Sequence, residues 1–326
     1  MHDHASPRIA IIGAGTAGLT CAHQLRQQGL SPVIFEKSRG IGGRLATRRT
    51  DHGDAYDHGA QFVTARDPAF VDLLANLQQA GAAAEWLPRL PKQAPRPAHT
   101  WWIGASGMSS LLKPLAASLD VRLRATVSGL RRHAGRWELR LVEQDHAEHF
   151  DAIVITAPAP QARALLAGVS PLVDVLERVD IAPCWAAMLG FDAPLDVPFE
   201  AARFDAGPIA WIARQSSRSG LVGRGDRWLA NAAPEWSADH LEHSPDEVLT
   251  LMQAALAERT GVALPPIAFA QAHRWRYAMT TRPLGQPMLA DASARLWVGG
   301  DWCLGARVEN AFQSGLAMAQ AIGAAW

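Results

Sequence analysis

The apolar run Arg8-Ile9-Ala10-Ile11-Ile12 leads directly into Gly13-Ala14-Gly15-Thr16-Ala17-Gly18, and a helix-like stretch follows. A second run, Val33-Ile34-Phe35, ends on Glu36. Strand, glycine turn, helix, strand and acid in this order describe a dinucleotide-binding βαβ unit. Each part has a physical task. Gly13 permits the tight turn, Gly15 lets backbone approach a pyrophosphate, and Gly18 lets helix and strand pack closely. N–H groups at the helix start attract phosphate charge. Glu36, about twenty residues beyond the turn, suits the two ribose hydroxyls. The glycines alone are a weak signal; their place between strand and helix makes them a strong one.

The chain has 326 residues, enough for about two domains. Lys+Arg and Asp+Glu are both 31, so the formal charge is zero. A nucleic-acid partner or a membrane surface would call for a basic excess, and neither is expected. No apolar run has the length of a membrane span. Met1-His2-Asp3-His4 lacks the basic start of a secretory leader. Cys21, Cys184 and Cys303 are odd in number and far apart, which reads as free thiols without metal-ligand spacing. A cytoplasmic protein is expected.

A helix is expected from Thr20 to Gln28, closed by Gly29, and another from Asp67-Pro68 to about Gly81. Residues 87–98 are proline-rich and irregular, and read as a crossing between domains. Val121–Val127, Trp137–Val142 and Ala152–Thr156 suggest a small antiparallel meander, with a Gly135 turn, returning to a central strand. Four further strands are expected over Cys184–Phe191, Ile209–Gln215, Arg227–Ala232 and Ile267–Tyr277. Between the last two, Ser244, Pro245, Glu247 and Gly261 punctuate a helix. The strand Leu296-Trp297-Val298 and a helix from about Val308 to Ile322 end the chain. The fold class is α/β: a doubly wound Rossmann-type domain with an inserted sheet-rich (α+β) domain.

Two more features bear on which dinucleotide is bound. Gly42-Gly43-Arg44 places a second backbone loop and a planar cation close after Glu36. Gly299-Gly300-Asp301 ends a C-terminal strand just before a helix whose positive end suits a reduced flavin. Together with Gly13–Gly18 and Glu36, these resemble the flavoprotein amine-oxidase superfamily. Longer strings resemble its bacterial renalases: the run from Phe35 to Arg44, Asp57-His58-Gly59-Ala60-Gln61, Gly107-Met108, Ala157-Pro158-Ala159-Pro160-Gln161, His273-Arg274-Trp275 and Gly300-Asp301-Trp302-Cys303-Leu304.

The resemblance implies non-covalent FAD, with residues 1–66, 102–166 and 285–326 as the FAD-binding domain and 67–101 and 167–284 as the substrate domain. It implies FAD contacts at Gly13, Ala14, Gly15, Gly18, Glu36, Lys37, Gly43, Arg44, His58, Gly59, Ala60, Gln61, Val127, Asp301 and Val308. Trp102, Ile103, Gly104, Cys184 and Arg307 match positions near the substrate. The implied reaction oxidises 2- and 6-dihydro isomers of NAD(P), with O2 as electron acceptor. Hydride transfer to a flavin asks for orientation and needs no catalytic acid or base from the protein. Gln61 and residues 101–104 are expected to address the carboxamide, and Arg307 an anionic group.

His58 and His273 are the candidates for proton chemistry, although lone histidines are more often structural. The twelve tryptophans are expected to be mostly core, with one or two stacking on substrate. Amine oxidases of the superfamily commonly use a lysine near the flavin. Here Lys37, Lys92 and Lys113 are the only lysines, all early in the chain. An amine oxidase, an oxidase or desaturase of an apolar substrate, and a non-catalytic dinucleotide sensor remain the alternatives.

Overall fold

Short, wholly apolar strands such as Ile9–Ile12 and Ala152–Ile155 are buried on both faces, which suits a parallel sheet covered by helices. The computed structural model describes residues 6–326, so Met1–His4 and the reading made from them lie outside the described residues. The chain forms two compact units. One runs through Gly43 and resumes at Leu112–Ile181 and Thr280–Trp326; the other comprises Arg44–Leu111 and Ala182–Met279.

The first unit holds a six-stranded sheet. Its order is Leu289–Asp291, Leu296–Val298, Ala152–Ile155, Ile9–Ile12, Val33–Glu36 and Asp120–Leu123. All neighbours are parallel except the first pair. From Ile9–Ile12 the chain winds outward to Asp120–Leu123, then returns to the other side at Ala152–Ile155. That reversal makes a topological switch point, beside which doubly wound sheets bind their ligands. The helix after the first strand spans Thr16–Gln27, starting four residues earlier than the Thr20 expected from pattern because the glycine turn itself enters it.

The meander differs from expectation in one place. Asp120–Leu123 is the parallel edge strand, and the antiparallel meander is Val127–His133, Arg136–Leu141 and Glu148–Phe150. The break falls at Arg124, whose φ of 55° no strand continues through. Ala134 and Gly135, both at positive φ, join the first two meander strands by a two-residue hairpin. Trp137 and Leu139 from this meander pack with Ile12, Ile155 and Trp302 in one core.

The second unit is built on a five-stranded sheet. Its order is Ala201–Arg203, Ile209–Arg214, Asp226–Ala232, Asp180–Phe191 and Ile267–Arg282. The helix Pro245–Thr260 has its full capping box, Ser244 with Glu247, and stops at Gly261 in the left-handed region. Val248, Met252 and Leu256 on this helix pack with Trp185, Leu189 and Trp228. Asp67 caps the helix Pro68–Gln79, as its sequence predicts.

Residues 44–66 and 102–111, which the sequence reading placed with the cofactor domain, make their contacts in this second unit. Tyr56 packs with Met188 and Leu229 and stacks on Phe269 at 5.2 Å, and that burial outweighs chain order. Residues 87–98 have no regular structure but lie within this unit, so they do not cross between the two.

His58, His273 and Trp275 form a further cluster of rings 4.4–5.1 Å apart. Burial lowers the His58 pKa to about 3, with help from His273 and Arg48, and lowers that of His273 to about 4, again with help from Arg48. Both rings are therefore neutral at neutral pH. An unfolded imidazole takes up its proton near pH 6.5, well before the packed rings do. Stability is accordingly full above pH 6.5 and falls as pH drops towards 4. His58 is expected to contribute a slope of up to about 1.4 kcal/mol per pH unit in that window. Urea midpoints measured between pH 7 and pH 4 check this: His58→Gln should flatten the decline.

Candidate functional site

The parallel register sets Ile12 beside both Phe35 and Ile155, and Ile155 beside Val298. The turns that follow these strands therefore lie along one edge of the sheet. The Gly13 N–H donates to the Phe35 carbonyl at 2.8 Å, which holds the glycine turn against the strand ending in Glu36. Glu36 is buried and accepts from the N–H of Ala14 at 2.9 Å and of Ser38 at 2.8 Å. Its carboxylate keeps lone pairs for a diol.

Gly42 donates to the Ala14 carbonyl at 2.9 Å, bringing the second glycine loop beside the first. A Cβ placed on Gly15 would meet nothing within 4 Å, whereas one on Gly18 would overlap the Gly13 carbonyl oxygen. The helix Thr16–Gln27 begins with no side-chain cap and no acid in its first turn. Open space at Gly15 and uncapped N–H groups fit a pyrophosphate. Lys37 stands apart from this set, its Nζ donating to Gln161 Oε1 at 3.3 Å.

Further along the same sheet edge, Gly299 donates to the Ile155 carbonyl at 2.9 Å and Gly300 to Ser314 Oγ at 2.9 Å. Asp301, which follows, is buried and starts a short 3-10 turn. Val308 is the first residue of the helix Val308–Gly323, and Arg307 precedes it in extended conformation. Arg307 forms an ion pair with Glu309, which is buried. Val127 opens the meander opposite Leu141. Cys303 is fully buried and its thiol pKa is pushed up to about 12 by burial, so it stays protonated.

The second unit gathers the other predicted residues around one turn. Ala60 donates to the Arg44 carbonyl at 2.8 Å, and a Cβ on Gly59 would overlap that same oxygen. Arg44 Nη1 donates to the Ala278 carbonyl at 3.1 Å. The Gln61 amide is committed at both ends. Its Nε2 donates to the carbonyls of Asp57 and, at 3.1 Å, Gly59; its Oε1 accepts from Gln215 Nε2 and Arg218 Nη2, each at 3.1 Å. This corrects the expectation that the Gln61 side chain addresses a carboxamide: its donors go to its own turn and its oxygen to Gln215 and Arg218.

Sequence reasoning missed Arg218, Gln215 and the role of Asp57. Arg218 and Asp57 form an ion pair at 3.0 Å with both side chains 1% exposed. Burial works against the Arg218 charge, and the adjacent carboxylate supports it. The stretch Ser216-Ser217-Arg218-Ser219-Gly220 reads as an ordinary solvated loop. Asp57 lies in Asp57-His58-Gly59-Ala60-Gln61, where no adjacent residue signals its partner 161 positions away.

Trp102 exchanges backbone hydrogen bonds with Val63 at 2.8 and 2.9 Å, so the 102–104 strand sits directly after the Gln61 turn. Ile103 is buried, and Gly104 lies against Gly107. Trp101 stacks on Phe62 at 4.1 Å and meets Trp211 edge-on at 5.8 Å. Cys184 lies on the long strand against Asn231 and Ala232. Burial pushes its thiol up to about 11, which leaves it a weak hydrogen-bonding group and not a nucleophile.

Residues 11–77 match the NAD(P)-binding Rossmann-like domain, and residues 92–323 match the flavin containing amine oxidoreductase family. The chain is similar to a renalase of Mus musculus, with 25% identity over 295 residues that cover 84% of this chain and 85% of that protein. Among solved structures, a putative protoporphyrinogen oxidase from Exiguobacterium sp. 255-15 shares the fold with a TM-score of 0.79 and 16% identity. It is matched over 98% of this chain and 99% of that one. Cyclohexylamine oxidase from Brevibacterium oxydans IH-35A aligns over the same shares, with a TM-score of 0.73 and 12% identity.

The glycine turn with its uncapped helix start and the buried Glu36 fit FAD and not FMN, which has neither a pyrophosphate nor an adenosine ribose. FAD is the cofactor. With the family match running from residue 92 to residue 323, most of its length, the chain belongs to the flavin containing amine oxidoreductases.

Proposed function

We propose that this FAD-dependent oxidoreductase oxidises the 2- and 6-dihydro isomers of NAD(P) and returns NAD(P)+, a metabolite-repair reaction. FAD, when bound, supplies the hydride acceptor and passes the electrons to O2. The balance closes with one substrate hydride, one solvent proton and one O2 giving NAD(P)+ and H2O2. The observation that carries the reading is the length of the likeness to a renalase, over 84% of this chain and 85% of that protein.

The residues support it. In this reading Gly13, Ala14, Gly15, Gly18, Gly43 and Glu36 hold the pyrophosphate and adenosine ribose. Arg44, His58, Gly59, Ala60, Gln61, Val127, Asp301 and Val308 complete the cofactor contacts, and Lys37 joins them only through its place in the chain beside Glu36, its ammonium being bonded to Gln161. Trp102, Ile103, Gly104, Cys184 and Arg307 belong to the substrate end, where the chain's work is orientation and exclusion of water. His58 and His273 are held neutral, and the thiols of Cys184 and Cys303 are held protonated. None of these groups is poised to exchange a proton near pH 7, which suits a step in which hydrogen leaves carbon as hydride.

The protonated, buried Cys303 also supports non-covalent FAD. Free Cys21, Cys184 and Cys303 accord with a reducing, cytoplasmic location, and no described helix is long and apolar enough to cross a membrane.

Acid precipitation of the purified yellow protein should leave its colour in the supernatant; colour in the pellet would mean a covalent flavin. Glu36→Ala should weaken FAD binding by about 1.5–3 kcal/mol, the worth of hydrogen bonds to a charged acceptor. Equilibrium dialysis of the holoenzyme checks this, and unchanged FAD retention would remove Glu36 from the ribose site. Anaerobic mixing with borohydride-reduced NAD+, which contains several dihydro isomers, should bleach the flavin rapidly, and air should restore it. Ordinary 4-dihydro NAD(P)H and primary amines should bleach it at least about tenfold more slowly, a difference of about 1.4 kcal/mol in the barrier. Rapid bleaching by an amine with no response to the isomers would make the protein an amine oxidase.

A further inference from the structure

The turn Asp57–Gln61 is held from below by a side chain that no motif includes. Arg218 is buried, and its guanidinium lies 4.3 Å from the centre of the Trp86 ring. One nitrogen, Nη1, donates to Asp57 Oδ2 at 3.0 Å, and the other, Nη2, donates to Gln61 Oε1 at 3.1 Å. The fork therefore spans the first and last residues of the turn. Gln61 closes the circuit by donating from Nε2 to the Asp57 and Gly59 carbonyls.

Gln215 adds a second link. Its Oε1 accepts from the Asp57 N–H at 3.0 Å, and its Nε2 donates to Gln61 Oε1 at 3.1 Å. The remaining Asp57 oxygen accepts from Thr47 Oγ1 at 2.7 Å and from the Met108 N–H at 2.8 Å. Residues from four separate stretches of sequence thus meet at one buried charge pair.

We infer that Arg218 is a positioning residue for the FAD site, fixing the shape of the 57–61 turn by its simultaneous hold on Asp57 and Gln61. The inference rests on the reading of His58, Gly59, Ala60 and Gln61 as cofactor contacts. Its physical ground is the choice of groups. A buried ion pair is no better for stability than well-packed apolar side chains of the same volume. What it adds is direction: a planar fork with two donors at fixed angle sets two acceptors relative to each other, and an ammonium cannot do the same. Gln61 then has one orientation, with its oxygen towards Arg218 and its nitrogen towards the carbonyls of its own turn. The turn has no freedom to reshape without breaking a bond to a buried charge.

A double-mutant cycle on the holoenzyme tests this. FAD release after dilution is followed by flavin fluorescence, and the visible flavin bands are recorded alongside the thermal midpoint. Arg218→Lys keeps the charge and loses the fork, so FAD release should accelerate by about tenfold or more, with shifted flavin bands. Gln61→Met should do the same. The double variant should release FAD no faster than the faster single variant, because both act through one contact.

Unchanged release and bands in Arg218→Lys, with only a lower thermal midpoint, would overturn the inference. So would additive effects in the double variant. If Gln61→Met itself leaves release unchanged, the reading of the turn as a cofactor contact fails first. If Gln61→Met accelerates release and Arg218→Lys does not, the positioning role alone fails. Should Arg218→Lys not fold, the charge-free pair Asp57→Asn with Arg218→Gln avoids a lone buried ion. It should fold and still release FAD about tenfold faster, and wild-type release from that folded variant would overturn the inference.

Discussion

A carbonyl oxygen and a missing Cβ govern the nucleotide end of this protein. The Gly13 carbonyl occupies the space that any side chain at residue 18 would need. Because Gly18 has no Cβ to compete for that space, the helix Thr16–Gln27 can begin immediately beyond the first strand. Thr156, on the turn after the neighbouring parallel strand, donates its hydroxyl to the carbonyls of Ile12 at 3.0 Å and Gly13 at 3.1 Å, tying the two turns together. The uncapped helix end, the Gly42–Ala14 hydrogen bond and the approach of Glu36 to Ala14 all depend on this geometry. A larger residue at position 18 would push the helix start away from the sheet edge and dismantle the cradle as a whole.

The second unit solves a different problem. It places a network of polar groups in a low-dielectric interior, centred on one buried ion pair. Asp57 and Arg218 neutralise each other, and the Gln61 and Gln215 amides bond to them and to backbone. His58 and His273 give up their charge in exchange for burial beside Trp275. Such an interior favours chemistry in which the protein holds its reactants still and contributes no proton of its own. Cys184 follows the same rule, since desolvation keeps its thiol protonated.

Two of the readings changed meaning once partners were visible. Gln61 looked like a hand extended to substrate, and its amide is instead a clasp across its own turn. Lys37 adjoins the buried Glu36 in sequence, yet its ammonium turns to Gln161. The strand ends at Glu36 and Lys37 lies in the bend beyond it, so the two side chains take different partners.

Local chemistry made much of this protein legible from its letters. A strand, a glycine turn, a helix, a strand and an acid in series point to a βαβ unit, because each glycine has a local task there. Ser244, Pro245, Glu247 and Gly261 mark a helix because caps act within a turn of the backbone they serve. The C-terminal helix, expected over Val308–Ile322, spans Val308–Gly323. Long-range pairing decided the remainder. Arg218 finds Asp57 across 161 positions, and nothing in Ser217-Arg218-Ser219 announces it. Likewise, residues 44–66 follow the glycine loops in sequence but join the other unit, because Tyr56 is buried against Met188 and Leu229. A buried ion pair or a packed ring depends on what the folded chain brings alongside it, and that is settled only when distant segments meet.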